Sequence, residues 1–213
     1  LDVCAISHDE GLMYIDGIYY KYTDDGSALK VVRGYNPYRG KVEIPATVNG
    51  LPVTEVDRLA MYACYYLKEL VIGDNVKKCG HEAFGASINL CNVTLPVADV
   101  EFAHNWMFNC DRGIREIHCR SSIPYVVEEG IFNGAVDYDN CILFVPVGTK
   151  QSYANAEVWK NFTHIMEENV STSISNINVE KKSVWYTLQG VRLYAKPNIP
   201  GVYIHNGKKI IVR

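Results

Sequence analysis

Large apolar residues return along the chain from Val42 to Ile165 at a nearly constant interval. The pairs Ala60-Met61, Ala83-Phe84, Met107-Phe108 and Ile131-Phe132 stand 23, 24 and 24 residues apart. With Met61, Phe84, Phe108 and Phe132 as position zero, further apolar columns line up. Eight residues earlier stand Val53, Val76, Val100 and Pro124, and five earlier Val56, Cys79, Ala103 and Val127. Six later come Leu67, Leu90, Ile114 and Tyr138. Nine later come Leu70, Val93, Ile117 and Cys141, and eleven later Ile72, Leu95, Cys119 and Leu143. The last two columns are two residues apart, so both point to one face of a short strand. The pair at zero and one before it sits on the return side, where a bulky side chain plugs each coil. One coil cannot bury its apolar side alone, whereas stacked coils build a continuous core. The pattern predicts a curved right-handed repeat solenoid, a β-rich member of the α/β repeat class.

Ile44-Pro45, Leu95-Pro96 and Val145-Pro146 each place a proline directly after a strand-type residue, which suits the exit of a strand. The last unit is about two residues longer between Phe132 and Val145, a difference for a loop to absorb. After Val145 the pattern breaks, and the run from Lys150 through Tyr153, Trp159, Phe162 and Ile165 reads as a helix-compatible terminal cap. Ahead of the repeats, Leu12–Ile15 and Ile18–Tyr22 flank Asp16-Gly17, a strong hairpin signal. A turn at Asp24-Asp25-Gly26 leads to a third strand over 28–32, giving a β cap on the first coil. Residues 34–40 form a turn-rich loop into the repeats. Residues 183–213 read as a small β unit, with strands near 184–188, 191–194, 201–204 and 209–212 and an Asn206-Gly207 hairpin. The expected organisation is a β cap over 1–41, the solenoid with its cap over 42–168, a Ser/Asn-rich linker over 169–182, and the terminal β unit over 183–213.

The succession of Val/Ile-Pro, Ala-Phe, Cys or Asn, and Leu-x-x-Leu/Val resembles the BspA-like leucine-rich repeats of bacterial surface proteins. Ala83-Phe84 followed by the stretch from Leu90 to Pro96 carries the likeness best. The ending Phe144-Val145-Pro146, Tyr153, Trp159, Phe162, Ile165 is similar to the usual close of such arrays. Met61 in place of Phe, Met107 and Ile131 in place of Ala, and Pro124 depart from the pattern. The run Tyr186–Arg192, with Pro200–Ile204 and Gly207–Lys209, resembles a C-terminal β module of exported Bacteroides-type proteins. The resemblance implies export, with residence at the cell surface, in the periplasm or outside the cell. It implies a scaffold more than a site.

A net charge of −3 argues against a nucleic-acid partner, which calls for a basic face. No apolar run is long enough to span a membrane as a helix. Leu1-Asp2-Val3 does not read as a leader, and the expected reading is a mature or trimmed chain. Cys4 lacks the small preceding residues of a lipid-anchor site. The seven cysteines read mainly as buried thiols, because Cys79, Cys119 and Cys141 occupy inward columns. A Cys64–Cys91 or Cys91–Cys110 bridge between coils stays open. Cys79, His81 and His104 match no paired zinc spacing, so no metal and no cofactor is expected. Cys79 also sits too far inside for a nucleophile. The carboxylates Asp24, Asp25, Glu128 and Glu129 fall in turns. The glycosylation-type triplets at Asn92, Asn161 and Asn169 read as coincidence if the source is bacterial, as the resemblance implies.

The fifteen tyrosines are the most suggestive feature. Tyr35, Tyr38, Tyr62, Tyr65, Tyr66 and Tyr125 fall off the inward columns, and tyrosine supplies rigid amphipathic contact area. The expectation is a non-catalytic, adhesin-like binding protein that recognises a protein or a glycan through the repeat solenoid, with these tyrosines as candidate contacts. A structural scaffold within a cell-envelope complex is the alternative. A surface glycan hydrolase stands behind both, since it needs two carboxylates facing a cleft.

Overall fold

The structure is a computed structural model. It describes residues 11–103, 107–108, 110, 113–132 and 134–169, and the strands of a second unit between 185 and 212. The chain divides into two compact units, Leu1–Val170 and Ser171–Arg213. In chain order, the first unit begins with β1 (Met13–Ile15), β2 (Ile18–Tyr22), β3 (Leu29–Val31) and β4 (Arg39–Glu43). There follow β5 (Thr47–Val48), β6 (Leu51–Val56), β7 (Tyr66–Val71), β8 (Lys78–Cys79) and β9 (Asn92–Leu95). The series closes with β10 (Glu101–Phe102), β11 (Glu116–Cys119), β12 (Ile142–Pro146) and β13 (His164–Glu168).

Two sheets build this unit, one along its length and one that ends at β10. A six-stranded sheet, all parallel, has the order β13-β12-β11-β9-β7-β4. The other has the order β1-β2-β3-β6-β8-β10, with β5 added beside β6. Its β3 pairs in parallel with β6, so the N-terminal hairpin continues the solenoid's own sheet rather than sitting on it. The expected repeat solenoid with a β-hairpin cap is what the chain forms. Among the described residues its return segments are turns, and helix is confined to the C-terminal cap.

The core follows the columns. Val42, Leu70, Val93, Ile117, Leu143 and Ile165 share one register across the six strands, and all are buried. On the return side Phe84 and Phe108 stack at 5.3 Å, and Phe108 and Phe132 at 5.7 Å. Trp159 and Phe162 close this ladder against Phe132, at 5.5 Å and 5.9 Å. The spine of rings is why a large apolar residue recurs once per coil.

The last coil corrects the expected register. Leu143 pairs with Ile117, and Ile114 bridges Val136. Leu143 therefore occupies the column assigned to Cys141, and Val145 the one assigned to Leu143. The cause is a turn over 137–140. The Asp137 carbonyl accepts from the Asn140 and Cys141 amides, and its carboxylate from the Asp139 amide and the Asn140 side chain. Cys141 is buried at the end of that turn rather than in the ladder. Pro124 and Tyr138, expected in inward columns, are only half-buried.

Coils are also tied by side chains that reach the preceding one. The Ser87 hydroxyl donates to Met61 O at 2.8 Å and accepts from the Cys64 amide at 3.1 Å, wholly buried. Cys110 Sγ makes the equivalent contact to Phe84 O. Arg120 spans three coils, donating to Leu95 O and to Ile72 O while its guanidinium pairs with Asp74 at 2.8 Å. Ser87→Ala leaves a buried carbonyl and a buried amide unpaired. We expect a loss of roughly 1–3 kcal/mol in urea unfolding, and an unchanged midpoint would mean the bridge contributes nothing.

Cys64, Cys79, Cys91, Cys110, Cys119 and Cys141 are all free thiols, so neither inter-coil bridge forms. Burial pushes the Cys110 and Cys141 thiols up to about 12 and the Cys79 and Cys119 thiols higher still. Cys4 and His104 lie outside the described residues.

The C-terminal cap begins with α1 (Lys150–Asn155) and a 3-10 turn over Trp159–Asn161. Tyr153 donates to Ser121 O at 2.9 Å, and Trp159 Nε1 to Tyr125 O at 2.9 Å. The second unit is a four-stranded antiparallel sheet of β14 (Trp185–Thr187), β15 (Arg192–Leu193), β16 (Gly201–His205) and β17 (Lys208–Val212), in the order β15-β14-β16-β17. The His205–Lys208 pairing leaves a two-residue connection, as the Asn206-Gly207 signal implies. Those two residues and the linker from 170 lie outside the described residues.

Candidate functional site

At the N-terminal end of the solenoid, β1 and β4 are the terminal strands of their two sheets. A cleft of about 570 Å³ opens there, within the range of small-molecule sites. The β1–β2 hairpin contributes Tyr14, Asp16, Gly17, Ile18 and Tyr19, and the following loop Asn36, Pro37 and Tyr38. From β4 come Arg39, Lys41, Val42 and Glu43. Strand alternation explains the two aromatic contributions: Tyr14 and Tyr19 are cross-strand partners, so they share one face of the hairpin.

Tyrosines form a connected cluster around Tyr19. Its ring lies 4.5 Å from Tyr14, 6.3 Å from Tyr35 and 6.2 Å from Tyr38, the last two edge-on. Gly34 presses so close that a Cβ there would lie 2.0 Å from the Tyr19 ring, which is why only glycine fits. Asn36 Nδ2 donates to Tyr19 Oη at 3.3 Å. Tyr14 and Tyr35 remain 62% and 59% exposed, so each is accessible from solvent. On the rim, the Arg39 guanidinium lies over the Tyr66 ring, 4.5 Å from its centroid. Lys41 Nζ stands 3.4 Å from Glu43 Oε2.

The six tyrosines read from the sequence as contact residues separate into two groups. Tyr35, Tyr65 and Tyr66 are exposed, and Tyr66 borders the cleft through Arg39. Tyr62 is half-buried, packed over Gly85. Tyr38 and Tyr125 are instead core residues. Tyr38 Oη donates to Val32 O and accepts from the Tyr19 amide. Tyr125 donates to Pro96 O and accepts from the Ser121 amide. Each hydroxyl is satisfied inside, so these two rings are structural. Burial raises the Tyr38 and Tyr125 phenols well above their ordinary range. Tyr14, Tyr19, Asn36 and Arg39 were not singled out by sequence.

The outward side of the six-stranded sheet carries a second ordered surface. Glu43, Val71, Thr94, His118, Phe144 and Met166 form one cross-strand row. His118 stacks flat on Phe144 at 4.5 Å and contacts Glu168 through Nδ1 at 2.9 Å. Among the described residues no cluster of three His, Cys, Asp or Glu side chains suits a metal ion. Cys79 is wholly buried, while His81 is exposed beside Glu82. Asp25 is engaged in its own turn, where the Thr23 hydroxyl and Ser27 hold its carboxyl down to about 2.

The chain matches no family model and no curated protein. Among solved structures, it is similar to a leucine-rich repeat protein of Bacteroides capillosus, at 15% identity and a TM-score of 0.39, over 75% of this chain and 100% of that one. A leucine-rich repeat protein of T. pallidum gives 15% identity and a TM-score of 0.36, over 75% of this chain and 99% of that one. A leucine-rich cell surface protein of Faecalibacterium prausnitzii gives 15% identity and a TM-score of 0.23, over 87% and 61%.

Proposed function

We propose that this chain is a non-catalytic, exported binding protein that holds a protein or glycan ligand at one end of a rigid repeat scaffold. The observation that supports this most directly is the N-terminal cleft, lined by the exposed Tyr14 and the buried Tyr19, with the exposed Tyr35 against Tyr19 beside it. Exposed tyrosines cost little entropy when they engage a partner, because two torsions fix the ring. The scaffold beneath them is stiff, since β4 and the hairpin are both built into sheets that run through the stacked coils. Export and a surface location follow from the resemblance of the repeats and of the C-terminal module. Asp16 and Glu43 both line the cleft, so absence of catalysis is part of what must be measured.

The test is binding of the purified chain to a panel of immobilised matrix proteins and glycans, with the recovered ligand checked by mass. Saturable binding to at least one member, with the ligand recovered intact, is the expected outcome. Cleaved ligand would overturn the non-catalytic reading. No binding across the panel would overturn the adhesin-like one. The alternative is a scaffold in an envelope complex, favoured by the ordered outward row with Phe144 and Met166. Cross-linking in the native cell would reveal partners on that sheet.

A further inference from the structure

We propose that the N-terminal cleft binds an uncharged oligosaccharide, stacking one sugar ring on Tyr14 in the cleft and another on Tyr35 beside it, and bonding their hydroxyls through Asp16, Asn36 and Glu43. The inference rests on the binding reading above and names its ligand class.

Three observations carry it. The first is the pair of exposed rings. Tyr14 and Tyr35 are exposed and both contact Tyr19, which Gly34 and Tyr38 also pack against. The face of an aromatic ring is its negative side, and the axial C–H groups of a pyranose carry the complementary positive edge. Exposed rings packed against Tyr19 suit that contact and cost little to order.

The second is the chemistry of the rim. Asp16, Asn36 and Glu43 line the same cleft. Carboxylates accept two hydroxyl protons and an amide both donates and accepts, which is the set that reads vicinal hydroxyls. The charges cancel: Asp16 and Glu43 against Arg39 and Lys41, with Lys41 already on Glu43 and Arg39 already on Tyr66. The lining carries no net charge to select a sulfated or carboxylated chain. An uncharged sugar meets no repulsion from either sign.

The third decides against an extended peptide. A terminal strand invites strand addition, and β4 is terminal. Its edge is blunted, however. The register slips between Gly40 and Lys41, with Gly40 at φ +63°, and Arg39, Lys41 and Glu43 place charge along it. Opposite it β1 is only three residues long. Bulges, charges and short strands are the devices that keep edges from pairing.

The experiment uses the full chain with soluble hexaoses of glucose, mannose and xylose as probes, followed by NMR of the tyrosine rings. Binding of at least one hexaose is expected, with shifts confined to Tyr14, Tyr19, Tyr35 and Asn36. Tyr14→Ala with Tyr35→Ala lowers affinity by about tenfold or more, equivalent to about 1.4 kcal/mol. Both rings are exposed, so the fold survives, which circular dichroism checks. Tyr14→Trp retains binding, because ring area and not the hydroxyl makes the contact. Failure of every hexaose overturns the proposal. So does preferential binding of heparin or of an extended peptide in the cleft. A matrix protein that binds equally to wild type and the double variant overturns the glycan assignment and leaves the broader binding reading standing. Binding of neither sugar nor protein removes both.

Discussion

Replacing Trp159 with alanine lowers the stability of the solenoid by roughly 3–5 kcal/mol, the cost of deleting a large buried aromatic. For a unit of this size that is a fall of roughly 6–20 °C in melting temperature. Trp159 is fully buried, and its ring meets Tyr125 at 5.9 Å, Phe132 at 5.5 Å and Tyr153 at 5.6 Å. Its indole N–H also satisfies the Tyr125 carbonyl at 2.9 Å. The variant opens a cavity and orphans an acceptor at the place where the ring ladder meets solvent. Terminal coils need such a cap because their outer apolar face has no further coil to cover it. Trp159→Phe keeps most of the packing and loses the hydrogen bond. It should recover most of the stability, with a residual deficit of about 1–2 kcal/mol. Thermal and urea unfolding followed by circular dichroism measure both, and a Trp159→Ala loss below about 1 kcal/mol would show that the cap is dispensable.

The same residue shows how far sequence alone reaches. A cap ending at Trp159 and Phe162 is legible because the period breaks and large aromatics persist after it. The repeat is legible because each coil makes the same demand on the same position. In the sheet that ends at β10, Phe102 rather than Ala103 pairs with Cys79, and along the six-stranded sheet the expected columns hold until Asp137 and slip there. There a side chain organises a four-residue turn, which apolar spacing does not record.

Tyrosine is where sequence reading gives out. Tyr38 and Tyr125 share the composition and loop context of Tyr35, yet each hydroxyl finds a buried carbonyl and a backbone amide. An amphipathic ring fits inside or outside, and only the distant partner decides. Tyr125 bonds to a carbonyl 29 residues away. The cleft was missed for a related reason. It joins a hairpin in one sheet to the terminal strand of another, so no short motif contains it. The available signals were Tyr14 and Tyr19 flanking Asp16-Gly17, with Gly34 and Asn36 in the following loop.

Phe108→Ala tests whether the ring ladder couples the coils. Phe108 lies between Phe84 and Phe132, tilted only 16° and 21° from them, and is fully buried. Its removal costs roughly 3–5 kcal/mol by the same cavity argument. The consequence differs from that of Trp159→Ala because of position. In a solenoid each coil contacts only its neighbours, so stability is a sum of coil terms and interface terms. Weakening an interface in the middle leaves two blocks, each holding one of the two caps. The expected result is a urea transition that broadens or divides. Amide exchange at Leu70 and Val93 should then lose protection at a different urea concentration from that at Leu143 and Ile165. Met61→Ala, at the ladder's N-terminal end, should lower the midpoint without dividing the transition. If Phe108→Ala shifts a single transition at unchanged slope, the parallel sheets alone carry the cooperativity and the ladder is only filling. A divided transition places the coupling between coils in the stacked rings, and with it the stiffness on which the N-terminal cleft depends.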